Sequence, residues 1–357
     1  MPVLPTVTAV LLAYGDEPVL VEAVEAVLSS DGVDVDLVLV DNGCTTDAVD
    51  RLAMREGVSV LRPGRNTGFA TGCNLGAAQA SGDFLAFVNG DAVVTAGALA
   101  HLVRAADDPT VALASASLRL YHQPDVINSA GNPVHYSGLS WAGGLGDPAD
   151  QHDRAVDVTS VTGAAFVTRR EVFAQLGGLC DLMFAYCEDA ELSLRAWQRG
   201  LRCCYVPEAV VLHRYEFSRN PFKMYLLERN RLLMLLTLYE RRTLVLLAPA
   251  LLGLEVSMLA VSVKQGWARE KVTGWWWLVR HQREIRRRRT KVQAARTRGD
   301  ADMAVLLTGD FDPGGETGLA APFVVRRGSR AYWWLVRQAL GPSSDAHTDP
   351  PLRLSVR

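Results

Sequence analysis

Phe84-Leu85-Ala86-Phe87-Val88-Asn89-Gly90-Asp91 is a run of five apolar residues that stops in a polar, acidic turn. A short apolar run bounded by turn residues reads as a strand buried on both faces. Asp36 to Val40 repeats the pattern and stops in Asp41-Asn42-Gly43. Working outward, Thr6 to Ala13 is a β-branched, apolar strand, and Pro18 to Ser29 sets Val19, Leu20, Ala23, Val24, Val27 and Leu28 on one helical face. Val58 to Leu61 gives another strand and Thr71 to Ala80 a helix of small residues. Strands alternating with helices predict an α/β fold with a mostly parallel central sheet flanked by helices. Ligands of such sheets bind where loops leave the carboxyl ends of the strands, which makes Asp41 and Asp91 site candidates. Taken alone, each could equally be an N-cap or a turn residue.

From Ala112 to Val158 periodicity fades among Gly, Pro, Asn and Trp141, and the stretch is expected to be a specificity loop over a cleft. Regularity returns at Ser160 to Thr168, and a helix is expected from Asp189 to Arg199, closed by Gly200. Leu201 to Val206 and Ala209 to Leu212 read as two short strands that deliver His213. Glu191 and Arg195, four apart, suit an intrahelical ion pair.

Beyond Pro221 the composition changes. Leu226 to Tyr239 is Leu-rich, and Leu244 to Val263 is apolar apart from Glu255, near the length of a bilayer span but interrupted by Pro249 and Gly253. Trp267, Trp275, Trp276 and Trp277 follow, then Arg286 to Arg289, an arrangement suited to a membrane interface facing anionic lipid. Between Lys264 and Arg298 the chain carries 12 Lys/Arg against Glu270 and Glu284, so a net charge of -2 conceals a basic rear and an acidic front. A basic run alone suits nucleic acid as well as lipid; the adjoining tryptophans and apolar run favour lipid, and no nucleic-acid partner is expected. Six cysteines show no CxxC spacing and read as reduced thiols. The N-terminus lacks the charged region of a signal peptide, so the expected location is the cytoplasmic face of the plasma membrane, peripheral or re-entrant. The expected divisions are 1-220, a catalytic domain; 221-298, a helical membrane-associating region; and 299-357, a low-order tail apart from Ala331 to Leu340.

Seven blocks occur in order: Val40-Asp41-Asn42, Arg65-Asn66-Thr67-Gly68-Phe69-Ala70, Cys73-Asn74-Leu75-Gly76, Gly82 to Asp91, Gly163-Ala164-Ala165, Tyr186-Cys187-Glu188-Asp189-Ala190-Glu191-Leu192, and Pro207 to His213. In this order they resemble family 2 glycosyltransferases, in particular the bacterial rhamnosyl- and galactofuranosyltransferase-like branch, over roughly residues 6 to 215. The resemblance implies a GT-A fold and an inverting transfer of a sugar, rhamnose by family likeness, from a dTDP- or UDP-sugar to a lipid-linked or polysaccharide acceptor. Asp41 would bind the donor base, helped by Ala13, Tyr14, Asn66 and Asn74. Asp91 and His213 would ligate a divalent cation, Mn²⁺ or Mg²⁺, and Gly163 would admit the sugar or acceptor to the backbone. Asp189, beside Glu188, would be the general base, kept ionised by the helix dipole. Two departures stand out: the DxD-like motif reads Asn89-Gly90-Asp91, with an amide at its first acidic position and Gly90 where Pro is more usual, and the strand-one loop reads Ala13-Tyr14-Gly15-Asp16-Glu17 where the branch often has Asn-Tyr-Asn. Two other readings fit the same blocks, a catalytically silent GT-A domain acting as an assembly partner and a polyprenyl-phosphate glycosyltransferase.

Overall fold

The computed structural model describes residues 3–214, 220–311 and 323–343. The chain divides into two units, one of residues 1–132, 142–196 and 201–216, the other of residues 133–141, 197–200 and 217–357.

The first unit holds a ten-stranded sheet formed by β1 (Thr6–Gly15), β2 (Asp34–Cys44), β3 (Val58–Leu61), β4 (Phe84–Asn89), β5 (Ala92–Val94), β6 (Val111–Leu120), β7 (Gln123–Ser129), β8 (Val156–Asp157), β9 (Ala165–Arg169) and β10 (Arg202–His213). Its order is β3-β2-β1-β4-β9-β6-β10-β5, with β7 on β6 and β8 on β10. The half built from β3, β2, β1 and β4 is parallel; β9 then runs antiparallel to both β4 and β6, and the sheet is mixed from there on. Helices α1 (Leu20–Leu28), α2 (Ala48–Leu52), α3 (Phe69–Ala77), α4 (Ala98–Ala106), α5 (Arg170–Leu176) and α6 (Glu188–Gln198) alternate with the strands. Because β1 lies between β2 and β4 and helices cover both faces, Val7, Ala9, Val10 and Leu11 are all fully buried, which explains the unbroken apolar run.

Two sequence expectations change. Val111 to Leu120 is a central strand and not part of a loop, paired with β9 on one side and β10 on the other and buried from Val111 to Leu118. The two strands expected before His213 are one, β10, whose register shifts between Val206 and Val210, where Pro207 lacks the N–H a ladder needs.

The second unit is helical: α7 (Pro221–Leu238), α8 (Arg241–Gln265), α9 (Ala268–Arg280), α10 (Gln282–Ala295), α11 (Asp300–Met303) and α12 (Phe323–Leu340). Pro221 opens α7 at a position whose N–H has no intrahelical acceptor, and Asn220 caps it by accepting from the Lys223 N–H at 2.8 Å. Helix α8 continues through Pro249 and Gly253, correcting the expected interruption: a proline in a 25-residue helix removes one rung and the rest of the ladder holds. The tail is more ordered than expected, since α12 begins at Phe323; expected low order at residues 312–322 and 344–357 lies outside the described residues.

Candidate active site

Strand β10 ends at His213 and pairs there with β5 on one side and β6 on the other. The Arg214 N–H donates to the Asp91 carbonyl at 2.9 Å, which fixes the end of β10 against the turn after β4. His213 Nε2 consequently stands 3.3 Å from Asp91 Oδ1. Asn128, at the end of β7 and 3% exposed, meets His213 Nδ1 with its Oδ1 at 2.8 Å. An Nδ1–H donated to that amide oxygen leaves the Nε2 lone pair aimed at the carboxylate, and two lone-pair-bearing atoms at this distance call for a proton or a cation. Neighbouring ligands of an octahedral Mg²⁺ or Mn²⁺ lie about 3 Å apart, so the pair fits two sites of such an ion. Among the described residues no group of three or more His, Cys, Asp or Glu side chains is arranged to hold a metal.

Asn89, at the end of β4, donates its N–H to the Ala164 carbonyl at 2.9 Å while its Oδ1 is buried and meets no hydrogen-bonding group. Beside it lies Glu17, from the loop after β1. A Cβ on Gly90 would sit 1.8 Å from Glu17 Oε2 and 3.0 Å from the Leu12 carbonyl oxygen, so the turn accepts glycine alone unless Glu17 moves. Burial, reinforced by the Asp91 charge, pushes the Glu17 carboxyl up to about 8.

Helix α6 opens with Glu188 and Asp189. Asp189 Oδ2 accepts the Gly163 N–H at 3.0 Å and Oδ1 the Ala190 N–H at 2.8 Å. Burial nevertheless raises the Asp189 pKa, so desolvation outweighs the helix-dipole stabilisation expected from the sequence. Glu188 is 6% exposed, its Oε2 has no hydrogen-bond partner, and burial with the neighbouring Asp189 pushes it up to about 8. Gly163 is therefore a donor to Asp189, and a Cβ there would make only ordinary contact with that side chain at 3.6 Å. Residue by residue, Asp189, Gly163, Ala164 and Asn89 link the helix start to the Asp91 turn. The segment leading into α6 is held in the left-handed region at Phe184, Tyr186 and Cys187, with φ of 66°, 69° and 68°, a backbone arrangement that costs energy at each residue. It is seated by the Ala70 N–H, which donates to the Phe184 carbonyl at 3.0 Å, and by Gly68, where a Cβ would come within 2.5 Å of that oxygen.

At the carboxyl end of β2, Asp41 Oδ1 accepts from the Cys44 N–H at 3.1 Å and Oδ2 pairs with Arg62 at 3.1 Å, so it is a turn acceptor and an ion-pair partner at once. Ala13 is buried and pairs with Asp41 in the sheet; Tyr14 is 57% exposed and its ring lies where a Gly43 Cβ would meet it at 3.7 Å. Asn66 accepts the Gly68 N–H at 2.8 Å and an Asn42 amide proton at 3.2 Å. The Asn74 amide accepts from the Leu179 N–H and donates to the Leu179 carbonyl, each at 2.9 Å, and donates to Asp181 at 2.7 Å.

Residues 8–177 match the model of glycosyl transferase family 2. The chain carries a family 2 glycosyltransferase domain. It is similar to the O-antigen biosynthesis protein RfbC of Myxococcus xanthus (34% identity, 41% of this chain and 12% of that protein). It is also similar to the pre-mycofactocin glycosyltransferase of Mycobacterium tuberculosis (30%, 50% and 37%). Over 63 residues it resembles the N-acetylglucosaminyl-diphospho-decaprenol L-rhamnosyltransferase of the same organism (38%, 17% and 20%). The chain thus spans well under two thirds of the length of these relatives. The solved structures of GalNAc-T7 with UDP, GalNAc and Mn²⁺ (TM-score 0.56, 19% identity, 66% of this chain and 49% of that one) and of the Pyrobaculum calidifontis mannosyltransferase PcManGT with GDP-Man and Mn²⁺ (0.50, 18%, 82% and 86%) share the GT-A fold.

In this glycosyltransferase domain the carboxyl ends of β1, β2 and β4, the start of α6 and the end of β10 present carboxylates and an imidazole at the sheet edge where α/β sheets bind ligands. Sequence reading missed three participants. Asn128 orients His213 from a stretch with no periodicity; Glu17 is marked only by the glycine at position 90; Asn42, fully engaged with Asn66, Thr67 and Gly68, was concealed by the more conspicuous Asp41.

Proposed function

We propose that the protein transfers a sugar from a dTDP- or UDP-activated donor to a lipid-linked or polysaccharide acceptor of the cell envelope, by single displacement with inversion. The observation that carries the reading is the 3.3 Å approach of His213 Nε2 to Asp91 Oδ1, with Asn128 holding the imidazole from behind. A divalent cation held there would neutralise the diphosphate as it departs. That the GalNAc-T7 and PcManGT structures are described with Mn²⁺ supports the same ion here. Asp91 and His213 would hold the cation, and Tyr14 offers an exposed ring for the base beside Asp41. Asp189, its carboxylate oriented by Gly163 and Ala190 and its pKa raised by burial, takes the proton from the acceptor hydroxyl; a base less acidic than an exposed aspartate suits that step. Rhamnose is the proposed sugar, supported by the resemblance to the decaprenol-linked L-rhamnosyltransferase.

The test incubates the purified chain with a membrane extract, Mn²⁺ or Mg²⁺, and in turn dTDP-rhamnose, UDP-galactofuranose, UDP-glucose and GDP-mannose. Product from a dTDP- or UDP-sugar that disappears with Asp189→Asn is expected. Equal product from wild type and variant would end the assignment of the base, and nucleotide binding without turnover of any donor would favour a silent binding domain.

A further inference from the structure

The helical unit buries a network of charges beside its apolar interior and leaves apolar stripes exposed. On α7 four consecutive polar residues, Glu228, Arg229, Asn230 and Arg231, are each 5% exposed or less, and Lys271 on α9 is 1% exposed. Glu255, the only charged residue in the apolar stretch of α8, turns inward: its carboxylate meets Arg231, Lys271 Nζ at 2.8 Å and Trp275 Nε1 at 2.7 Å, and Lys271 also pairs with Glu228. The outward faces are apolar. On α8, Val245, Leu252, Val256 and Val263 are 65–73% exposed at spacings of seven, four and seven residues, which keeps them on one stripe. On α9, Val272, Trp276 and Val279 are 50–59% exposed at three- and four-residue spacing. The most apolar 18-residue window of α8 has a mean hydropathy of 2.2, with only 6% of it buried. Water as the outer solvent would reverse this pattern, since burying charge and exposing Val and Trp are both costly there.

The occupant is indicated by what flanks these stripes. Exposed cations close each one on its own helix, Arg241 and Lys264 on α8, Arg269 and Arg280 on α9, and this order of apolar body between cationic ends matches acyl chains bordered by anionic headgroups. A span is disfavoured by the Glu255–Lys271 pair, which holds α9 beside the middle of α8. Helix α9 has 13 residues, about 20 Å, too short to cross, and its charged ends would then lie in hydrocarbon.

We propose that α8 and α9 lie in the plane of one leaflet of an anionic bilayer, with Val245, Leu252, Val256 and Trp276 among the acyl chains and the inward ion network pinning the two helices together. This deepens the reading of a membrane-linked acceptor, and it can fail while that reading stands. The full chain is floated with vesicles of neutral phosphatidylcholine, or of phosphatidylcholine with phosphatidylglycerol. Four exposed cations predict binding at least about tenfold tighter to the anionic vesicles. Leu252→Glu with Val256→Glu should cut binding by at least about tenfold. Trp276→Phe should remove part of the fluorescence quenching that brominated lipid produces, and alkaline carbonate should release the protein. Circular dichroism and calorimetry with dTDP and UDP report the fold and the nucleotide site independently; if the double variant misfolds, the exposed Val245→Glu takes its place. Undiminished flotation of the variants, retention after carbonate, or self-association without lipid that the glutamates abolish would each overturn the proposal, the last by making a second copy the occupant.

Discussion

The two units treat charge in opposite ways. In the sheet unit apolar side chains fill the interior and Asp41, Asp91 and Asp189 gather where strands end, while in the helical unit Glu228, Arg231, Glu255 and Lys271 meet inside, beside buried Leu233, Met234 and Leu247, and Val245, Val256 and Trp276 face outward. Both obey one rule, that a charged group is stable where something answers it, be it water, ligand or an opposite charge. The sheet edge leaves buried oxygens of Glu17, Asn89 and Glu188 without hydrogen-bonding groups, whereas in the helical interior the carboxylates of Glu228 and Glu255 are answered by Arg231 and Lys271.

The comparison breaks most visibly at Asp189. Asp189→Asn should lower kcat by about 10²–10⁴ with the fold and nucleotide affinity kept, because only proton transfer is removed; steady-state kinetics with the productive donor checks this. In the helical unit the matching change is Glu255→Ala, which leaves Arg231 and Lys271 with Glu228 alone. Breaking a buried pair from one side costs about 3–5 kcal/mol, measured by urea unfolding of the full chain, and a cost near zero would show that the network is wet.

A smaller effect is expected at Asn128, which would act on a bound cation only through the His213 ring. Asn128→Ala should weaken Mn²⁺ affinity about 10–100-fold by freeing the His213 ring, and calorimetry with Mn²⁺ and UDP reads it directly. The smallest effect concerns pH. Glu188 is held at about 8 in the folded chain against an ordinary 4.5, so between those values the folded state binds a proton that the unfolded state has released. Its contribution to stability is complete below pH 4.5 and is lost as pH rises toward 8. Glu188→Gln should therefore flatten the fall in stability between pH 5 and 8 by about one proton; an unchanged slope would show that Glu188 ionises normally.

Much of the sheet was legible because β1, β2 and β4 are buried on both faces and must read as apolar runs, and their acidic ends announced the ligand edge. Strand β6 was not, since Val111-Ala112-Leu113-Ala114-Ser115-Ala116 has neither alternation nor β-branched density; its burial is imposed by neighbours far along the chain. The same holds for the site. Asp91 and His213 carry a local pattern, but Asn128 stands 85 residues from His213, and Asn74 carries the pattern while its amide serves the Leu179 turn. In the helical unit the apolar length of α8 was plain from composition; that Glu255 would find Lys271 on α9 was a matter of packing.

The account depends most on a cation shared by Asp91 and His213. Electron paramagnetic resonance of Mn²⁺ titrated into the full chain with UDP or dTDP, compared with His213→Ala, tests it directly. The account predicts a nucleotide-dependent bound Mn²⁺ signal that weakens at least about tenfold in the variant while circular dichroism is unchanged. Identical Mn²⁺ binding by the two proteins would contradict it.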